Sequence, residues 1–458
     1  MIAIIGGGIS GLSAAWHLAQ TGKPFTLFEK QPRWGGVIET AYWEDCVLEA
    51  GPDSFLAAKP EAFELIRELG LQAELIASND HQRVTFVWKN GRMRPLPDGL
   101  VMMAPTRILP VALSPLLSWR TKVRMGLELF SARPGPKSER SVADFVREHY
   151  GQETVDYLAE PLLSGVYGGD VESLSVNAVL PRFVELEAKY GSLTRGVLQS
   201  RKSQPAGPSP SKALFATLKG GLGQLVEALH SRLVACGKLV CGEVEALERS
   251  AQGWRLRLTG DWMEADSVVL AVPAYQAAKL LAPHDARLAS LLNSIEYSSS
   301  ITMALVYRNL PRRPTGFGFL VPRKERRHLM AGTWVQNKFP HRAPGGYAIL
   351  RCFIGGAGSE ALLSQSDEAI LRAALSDVQL LTGISRAPDH HRISRWSRSM
   401  AQYTLGHQAR VREIEERIKP LGRLFLAGNA YSGIGIPDCI RTGRLAAEKA
   451  LALSPHRP

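Results

Sequence analysis

The chain opens Met1-Ile2-Ala3-Ile4-Ile5-Gly6-Gly7-Gly8-Ile9-Ser10-Gly11-Leu12, and the reading of this stretch decides the fold. Ile2 to Ile5 is a short apolar run of strand type, and Leu12 to Gln20 places Leu12, Ala15, Trp16 and Ala19 on one helical face. Between them lies G-x-G-x-x-G, in the strand–turn–helix setting that gives the pattern its meaning. Gly6 permits the tight turn, Gly8 removes a side chain where a pyrophosphate must approach the backbone, and Gly11 lets helix and strand pack closely. The amides around Gly7, Ile9 and Ser10 then offer donors and a partial positive charge to phosphates. A second strand, Pro24 to Phe28, ends in Glu29, about 20 residues further on, where a carboxylate can bind a ribose 2′-OH. The stretch predicts an adenine-dinucleotide site.

With 458 residues the chain is long enough for two or three domains with ample core. The net charge of +12 suits nucleic acid, an anionic membrane surface or acidic small molecules. No basic block interleaved with aromatics is present, so no nucleic-acid partner is expected. The five cysteines are scattered, with neither C-x-x-C nor Cys/His ligand spacing, so no metal site and no disulfide framework are expected. That usage suits a reducing cytoplasm. The first strand starts at once, leaving no room for a cleavable leader. No apolar run reaches the roughly 20 residues a spanning helix needs. Leu100 to Trp119 comes closest, broken by Pro105, Arg107, Pro110 and Pro115. It reads as a proline-kinked core segment, with a membrane-lying segment or a pocket roof as the other readings.

Further along, Lys30 to Gly36 and Glu49 to Ser54 form turns, and Pro60 to Leu69 reads as a helix closed by Gly70. Arg83 to Trp88 and Arg92 to Leu96 flank the hairpin turn Lys89-Asn90-Gly91. Helices are expected over Arg120–Phe130, Val142–Tyr150 and Gln152–Ser164. Arg201 to Lys212, rich in Pro and Ser, reads as a mobile connection at a lobe boundary. Gln224–Ala235 reads as an amphipathic helix, Leu239–Leu247 as one strand, and Trp254–Leu258 with Asp261–Glu264 as a hairpin. Asp266–Val272 reads as a buried strand. Ile301–Tyr307, Gly318–Val321, His328–Val335 and Ala348–Phe353 alternate like an antiparallel sheet. Asp367–Leu381 is helical. Leu424–Ala427, a glycine-rich loop from Gly428 to Asp438, and a helix from Ile440 to Ala452 repeat the strand–loop–helix arrangement at the far end.

These residues resemble a family. Gly6 to Gly11, Glu29, Arg33-x-Gly35-Gly36 and Gly428 to Ala447 are similar to the FAD-binding domain of amine-oxidase-like flavoproteins. Pro161 to Asp170, the stretch Arg395-Trp396 through Met400, Gln402-Tyr403 and Gly406-His407, and the loop Gly435 to Ile440 resemble oxygen-dependent protoporphyrinogen oxidases and the related bacterial coproporphyrinogen oxidases. The resemblance implies an α/β fold, α+β overall. It comprises a discontinuous Rossmann-like FAD-binding domain, an antiparallel-sheet substrate domain and a helical, membrane-docking-like lobe. The boundaries expected are 1–75, 206–290 and 391–458 for the FAD domain. Residues 76–205 would hold substrate-domain strands plus the helical lobe, and 291–390 the substrate sheet.

The family's reaction removes six electrons and six protons from a porphyrinogen of haem biosynthesis over three flavin cycles, with oxygen as acceptor and hydrogen peroxide as product. Hydride would pass from a meso carbon to flavin N5, and aromatisation reduces the need for a protein base. No catalytic side chain is assigned, which fits the absence of a Ser/His/Asp or Cys/His constellation. By resemblance, non-covalent FAD would be held by Gly6, Gly7, Gly8, Ile9, Ser10, Gly11, Glu29, Lys30, Arg33, Gly35, Gly36, Val37, Gly51, Pro52, Asp53, Ser54, Val244, Trp396, Gly428, Gly435, Ile436, Pro437 and Asp438. Trp396 also reads as a core aromatic, Asp438 as a helix cap, and His407 equally as a base or a structural histidine. Cys439 reads as a buried thiol rather than a covalent flavin anchor.

The porphyrinogen carboxylates call for cationic clamps. Some relatives carry Arg after the Leu-Pro-x-Gly-Leu turn, whereas here Leu96 to Leu100 is followed by Val101. Arg92 and Arg94 are the basic candidates taken forward, with Arg107 and Lys59 beside them. Leu163 and Val166, with Leu100 to Met103, are the apolar ones. The expected setting is cytoplasmic. Peripheral membrane contact, pairing into a homodimer and the choice between the two porphyrinogens stay open. The competing readings are an amine oxidase or carotenoid desaturase, and a non-catalytic FAD-bound or membrane-docking protein.

Overall fold

The computed structural model describes residues 1–131, 138–202, 213–311, 314–326, 328–356 and 359–453. Most of the expected connection Arg201 to Lys212 therefore lies outside the described residues. The chain forms two compact units. One comprises 1–78, 213–296 and 409–458, and the other 79–212 and 297–408.

The first unit is built on a five-stranded parallel sheet in the order Lys238–Cys241, Phe25–Glu29, Ile2–Ile5, Ser267–Leu270, Leu424–Leu426. Ile2 to Ile5 are all buried. Their continuous apolar character is what a strand covered on both faces requires. The chain crosses from one side of this strand to the other, so the glycine turn stands at a topological switch point. The expected single strand Leu239–Leu247 is in fact two, broken at Gly242. Lys238–Cys241 joins the parallel sheet, while Val244–Ser250 starts a three-stranded antiparallel sheet with Gly253–Leu258 and Asp261–Ala265.

The second unit holds a seven-stranded sheet. Its order is His390–Ala401, Tyr297–Arg308, Tyr347–Gly355, Leu329–Trp334, Gly318–Leu320, Thr85–Lys89, Arg92–Pro95. All pairs are antiparallel except Gly318–Leu320 with Thr85–Val87. At the hairpin, Asn90 and Gly91 both take positive φ, 50° and 73°, the pair a type I′ turn demands. One face of the sheet carries Ile301, Met303, Leu305, Tyr307, Leu350 and Cys352 against Ile370, Ala374 and Val378 of helix Asp367–Thr382. On the other face Val87 joins the core of the helical segment, among Phe145, Leu158, Leu163 and Leu174.

Leu100 to Trp119 divides. Met103, Ala104, Val111, Leu116 and Leu117 are buried, whereas Ile108, Leu109, Leu113 and Trp119 face outward. Among the described residues no helix is long and apolar enough to cross a membrane.

Candidate active site

In the first unit the two halves of the expected dinucleotide site are physically joined. A Cβ on Gly443 of helix Ile436–Ala452 would stand 2.1 Å from the Ser10 carbonyl. Helices Ile9–Gln20 and Ile436–Ala452 thus touch through their backbones, which only a glycine permits. The turn itself is tight: Gly6 has φ 111°, and its Cβ would lie 2.4 Å from Ala271 O. Gly7 N–H donates to Glu29 Oε2 at 2.6 Å, which fixes that carboxylate beside the turn. Its second oxygen accepts from the Gln31 amide at 2.8 Å.

Gly35 N–H donates to Gly7 O at 2.8 Å, so the Arg33–Gly36 step is hydrogen-bonded to the opening turn. The Arg33 guanidinium donates to the carbonyls of Ile38, Trp34 and Gly36, folding the loop around itself. A Cβ on Gly51 would meet Val37 O at 1.7 Å, which brings the Gly51–Ser54 turn onto this loop. Lys30 and Val37 are exposed, and Val244 is buried at the start of its strand.

The fit to a dinucleotide is tested by what the cradle leaves open. Helix Ile9–Gln20 has no side-chain N-cap and no acidic residue in its first turn. A Cβ on Gly8, or on Gly428, would meet nothing within 4 Å. An uncapped helix N-terminus facing open space suits a pyrophosphate. At the closing helix Asp438 sits in the first turn behind Gly435, Ile436 and Pro437. Its carboxylate accepts from the Gly435 amide at 3.3 Å and pairs with Lys59. Cys439 is buried, and that burial pushes its thiol up to about 11, which leaves it a weak nucleophile at neutral pH.

In the second unit the motif Pro161–Asp170 continues helix Glu160–Tyr167, which follows a π-helical turn at Val155–Ala159. The helix packs on strands Gly318–Leu320 and Leu329–Trp334. It ends in a turn at Tyr167–Gly169 held by one side chain. Gln402 Nε2 donates to Tyr167 O at 2.7 Å, to Met400 O at 2.9 Å and to Ser298 Oγ at 3.0 Å. A Cβ on Gly169 would lie 1.9 Å from Gln402 Oε1. Two of the three stretches that carried the porphyrinogen-oxidase resemblance are thus one piece of structure.

Trp396 pairs with Ser300 across the sheet, and its Nε1 donates to Thr302 Oγ1 at 3.3 Å. His407 is buried with its ring stacked on Tyr403, at 3.9 Å between centroids.

The expected substrate residues scatter. Leu163 is buried in the helical core, and Val166 is exposed. Arg92 and Arg94 lie on the last strand of the sheet, six strands from Trp396, roughly 29 Å at the usual strand spacing. The structure does not bring them to the tryptophan. It places others, which sequence reasoning missed, on the same sheet face as Trp396. Arg351 and Arg392 flank Ala304 on the Trp396 face, a cross-strand pairing that single-strand periodicity does not reveal.

A dinucleotide cradle assembled from both ends of the chain, with a large mixed sheet in a second unit, defines an FAD-dependent oxidoreductase. The chain matches the family described as flavin containing amine oxidoreductase over residues 9–451, and it belongs to that family. It is 34% identical to the coproporphyrinogen III oxidase of Bacillus subtilis, over 98% of this chain and 97% of that one. It is 32% identical to the coproporphyrinogen III oxidase of Propionibacterium freudenreichii, over 100% of this chain and 92% of the relative. A crystal structure of an Exiguobacterium protein superposes with a TM-score of 0.87 at 30% identity, covering 98% of this chain and 97% of that one.

Proposed function

We propose that the protein oxidises coproporphyrinogen III to coproporphyrin III in haem biosynthesis. The observation that carries the reading is the end-to-end similarity to coproporphyrinogen III oxidases. Bound FAD would supply the redox chemistry, taking a hydride from a meso carbon in each of three cycles and passing the electrons to oxygen as hydrogen peroxide. The chain's own part is to bind, orient and exclude water.

Gly6, Gly8, Gly11 and the amides of Ile9 and Ser10 hold the pyrophosphate, and Glu29 holds the ribose. Gly435 to Asp438 present the second helix N-terminus. Gln402 fixes the Tyr167–Gly169 turn at the end of the sheet face that carries Trp396. Aromatisation drives the proton losses, and no side chain is assigned as their base.

The test is direct. Purified flavin-loaded protein, mixed with colourless coproporphyrinogen III in air, should develop porphyrin fluorescence with three equivalents of peroxide per porphyrin. Loaded protein that shows no gain with either coproporphyrinogen or protoporphyrinogen would overturn the reading.

A contact with an anionic membrane surface belongs to the same proposal. Helix Trp119–Glu128 is amphipathic the wrong way round for a core helix. Thr121, Met125 and Glu128 are buried, while Trp119, Val123, Leu127 and the following Phe130 face outward. The neighbouring helix Ile108–Leu113 adds exposed Ile108, Leu109 and Leu113. Exposed Arg107, Arg120 and Arg124 border these side chains. Outward apolar groups bordered by cations suit a helix lying in a lipid headgroup layer.

A further inference from the structure

We infer that the buried cluster of Glu128, His149, Glu187 and Arg140 is a proton-operated latch on the outward-facing helix Trp119–Glu128. It holds the Glu128 end of that helix in the fold while the His149 ring carries two protons, and releases that end when one leaves. The inference is independent of the reaction proposed above.

The two ends of the helix are pinned differently. At its start, Glu153 accepts from the Ser118 amide at 3.0 Å, from Ser118 Oγ at 2.6 Å and from Thr121 Oγ1, and it pairs with Lys89 Nζ at 2.6 Å. Against the cost of burial, the hydrogen bonds from Lys89, Ser118 and Thr121 hold the Glu153 carboxyl down to about 2. This pin therefore keeps its charge throughout the neutral range. At the other end Glu128 reaches inward. Its Oε1 accepts from the Leu193 amide at 2.7 Å, and its Oε2 from Ser192 Oγ and the Thr194 amide, both at 3.0 Å. Glu128 thereby fastens its helix to the start of helix Leu193–Lys202. His149 Nδ1, at 2.8 Å, completes its partners.

The opposite ring nitrogen, Nε2, faces Glu187 Oε1 at 2.9 Å. His149 and Glu187 are each 1% exposed and Glu128 is 4% exposed, so bulk water does not replace a lost partner. An ionised carboxylate only accepts, and a neutral imidazole donates from one nitrogen alone. Both contacts hold together only when the ring carries both protons. Glu128 has none to lend, because four donors occupy its two oxygens. Glu187 is kept ionised by Arg140, which also pairs with Glu148.

Loss of the ring proton falls on Glu128. Glu187 retains Arg140, whereas among the described residues the ion pair of Glu128 is to His149. A buried carboxylate left without its cation is strongly destabilising. Turning out to water relieves it, and carries Leu127 and Phe130 along. The other groups packed around the ring do not take over. Tyr150 is hydrogen-bonded to Thr194 Oγ1 at 3.0 Å, and burial raises its hydroxyl well above the ordinary 10. Arg195 donates to the carbonyls of Leu129, Ser131 and Tyr190, and Arg124 to those of Arg147 and Glu148. Burial opposes the ring's charge, but the hydrogen bonds to Glu128 and Glu187 outweigh it and raise His149 above its ordinary 6.5. The latch is therefore closed near pH 6 and opens as pH climbs through the raised value.

Hydrogen–deuterium exchange of the full-length, FAD-loaded protein tests this without lipid or substrate. Exposure times are scaled to the intrinsic exchange rate at each pH. The reporters are the Leu193 and Thr194 amides and the segment Val123–Phe130. In wild type their protection should fall by up to about tenfold per pH unit once the ring loses its proton, the slope for one linked proton. Protection at Ser118 and Thr121 should change by less than about twofold, because their pin does not titrate there. His149→Gln cannot gain the second proton, so its reporters should be as open near pH 6 as those of wild type near pH 9. Glu187→Gln lets a neutral ring donate to Glu128 and accept from the new amide, with Arg140 left to balance Glu128. Its reporters should stay protected across the range. Should that variant fail to fold, the wild-type profile and His149→Gln decide.

Wild-type protection at Leu193 and Thr194 that is flat from pH 6 to pH 9 would overturn the latch. So would an equal loss at the Ser118 end, a His149→Gln protein as protected as wild type near pH 6, or a Glu187→Gln protein that opens in step with wild type.

Discussion

Lys59 and Asp438, far apart in sequence, are joined at the N-terminus of the closing helix. The Lys59 ammonium lies 2.6 Å from both carboxylate oxygens, and Asp438 also accepts from the Gly435 amide. The Asp438 side chain is 10% exposed and that of Lys59 is 40% exposed. The carboxylate alone therefore depends on the pair for compensation. Arg441 stands at 3.6 Å and is a weaker substitute.

Replacing Lys59 by Met should leave a nearly buried carboxylate with poor compensation. A loss of roughly 1–3 kcal/mol is expected for such an orphaned group. Because Asp438 orders the loop at Gly435, the loss should be felt as weaker flavin retention as well as a lower melting temperature. Release of flavin fluorescence on heating measures both. A variant that melts and releases flavin like wild type would show that Arg441 suffices.

A methyl group on Gly169 is expected to be harmful for a reason that names its own rescue. It would collide with Gln402 Oε1 at 1.9 Å. Gln402 cannot retreat without dropping its bonds to Tyr167, Ser298 and Met400. Gly169→Ala should cost about 1–3 kcal/mol, in the range of overpacking, and lower kcat/KM for the porphyrinogen. In Gly169→Ala/Gln402→Ala the collision is gone, so the double variant should be less impaired than the sum of the singles. A double-mutant cycle measures that coupling.

The opening turn was legible because its chemistry is local. Gly6, Gly8, Gly11 and Glu29 lie within one strand–turn–helix–strand, and each position is dictated by its neighbours. Helix Val142–Tyr150 was legible for the same reason, with Ser141 as N-cap and Gly151 as stop. The strand His390–Ala401 was not. It is an edge strand reading His-His-Arg-Ile-Ser-Arg-Trp-Ser-Arg-Ser-Met-Ala, and most of its side chains are half-buried or exposed. It therefore lacks the apolar alternation that marks a strand. Its pairing with Tyr297–Arg308 supplies the order instead, and only that register with the pairing of Tyr347–Gly355 puts Arg351 and Arg392 on the face that carries Trp396. Arg92 and Arg94 looked equally good as cations, but only the strand order shows their distance. For helix Trp119–Glu128 the sequence predicts a helix, yet helical spacing does not say which side chains face a core and which the outside.

His149 gives a pH dependence with a definite sign. The ring is buried, with Nδ1 2.8 Å from Glu128 and Nε2 2.9 Å from Glu187. Burial works against its charge, but the hydrogen bonds to Glu128 and Glu187 outweigh it and raise the imidazole above its ordinary 6.5. Arg140 adds a cation beside Glu187. A group raised on folding stabilises fully below its unfolded value and loses that stabilisation as pH climbs through the folded one. Thermal stability should therefore fall as pH rises above about 6.5. His149→Gln should be less stable near pH 6 and lack that portion of the fall. A wild-type melting temperature that is flat or rises from pH 6 to pH 9 would show that folding does not raise the imidazole.

The outward stripe of helix Trp119–Glu128 separates two roles by experiment. If it lies in a lipid surface, wild type should sediment with vesicles of mixed phosphatidylcholine and phosphatidylglycerol. Binding should weaken as salt is raised, because screening removes the attraction of Arg107, Arg120 and Arg124. Trp119→Ser with Phe130→Ser should abolish sedimentation. It should leave the melting temperature within about a degree, because exposed side chains contribute little to folding. Turnover of soluble coproporphyrinogen should likewise be unchanged, since neither side chain is part of the cofactor cradle or the Trp396 face. Loss of stability in this variant would show that the stripe is structural. Wild type that ignores anionic vesicles at low salt would remove the lipid surface as its partner.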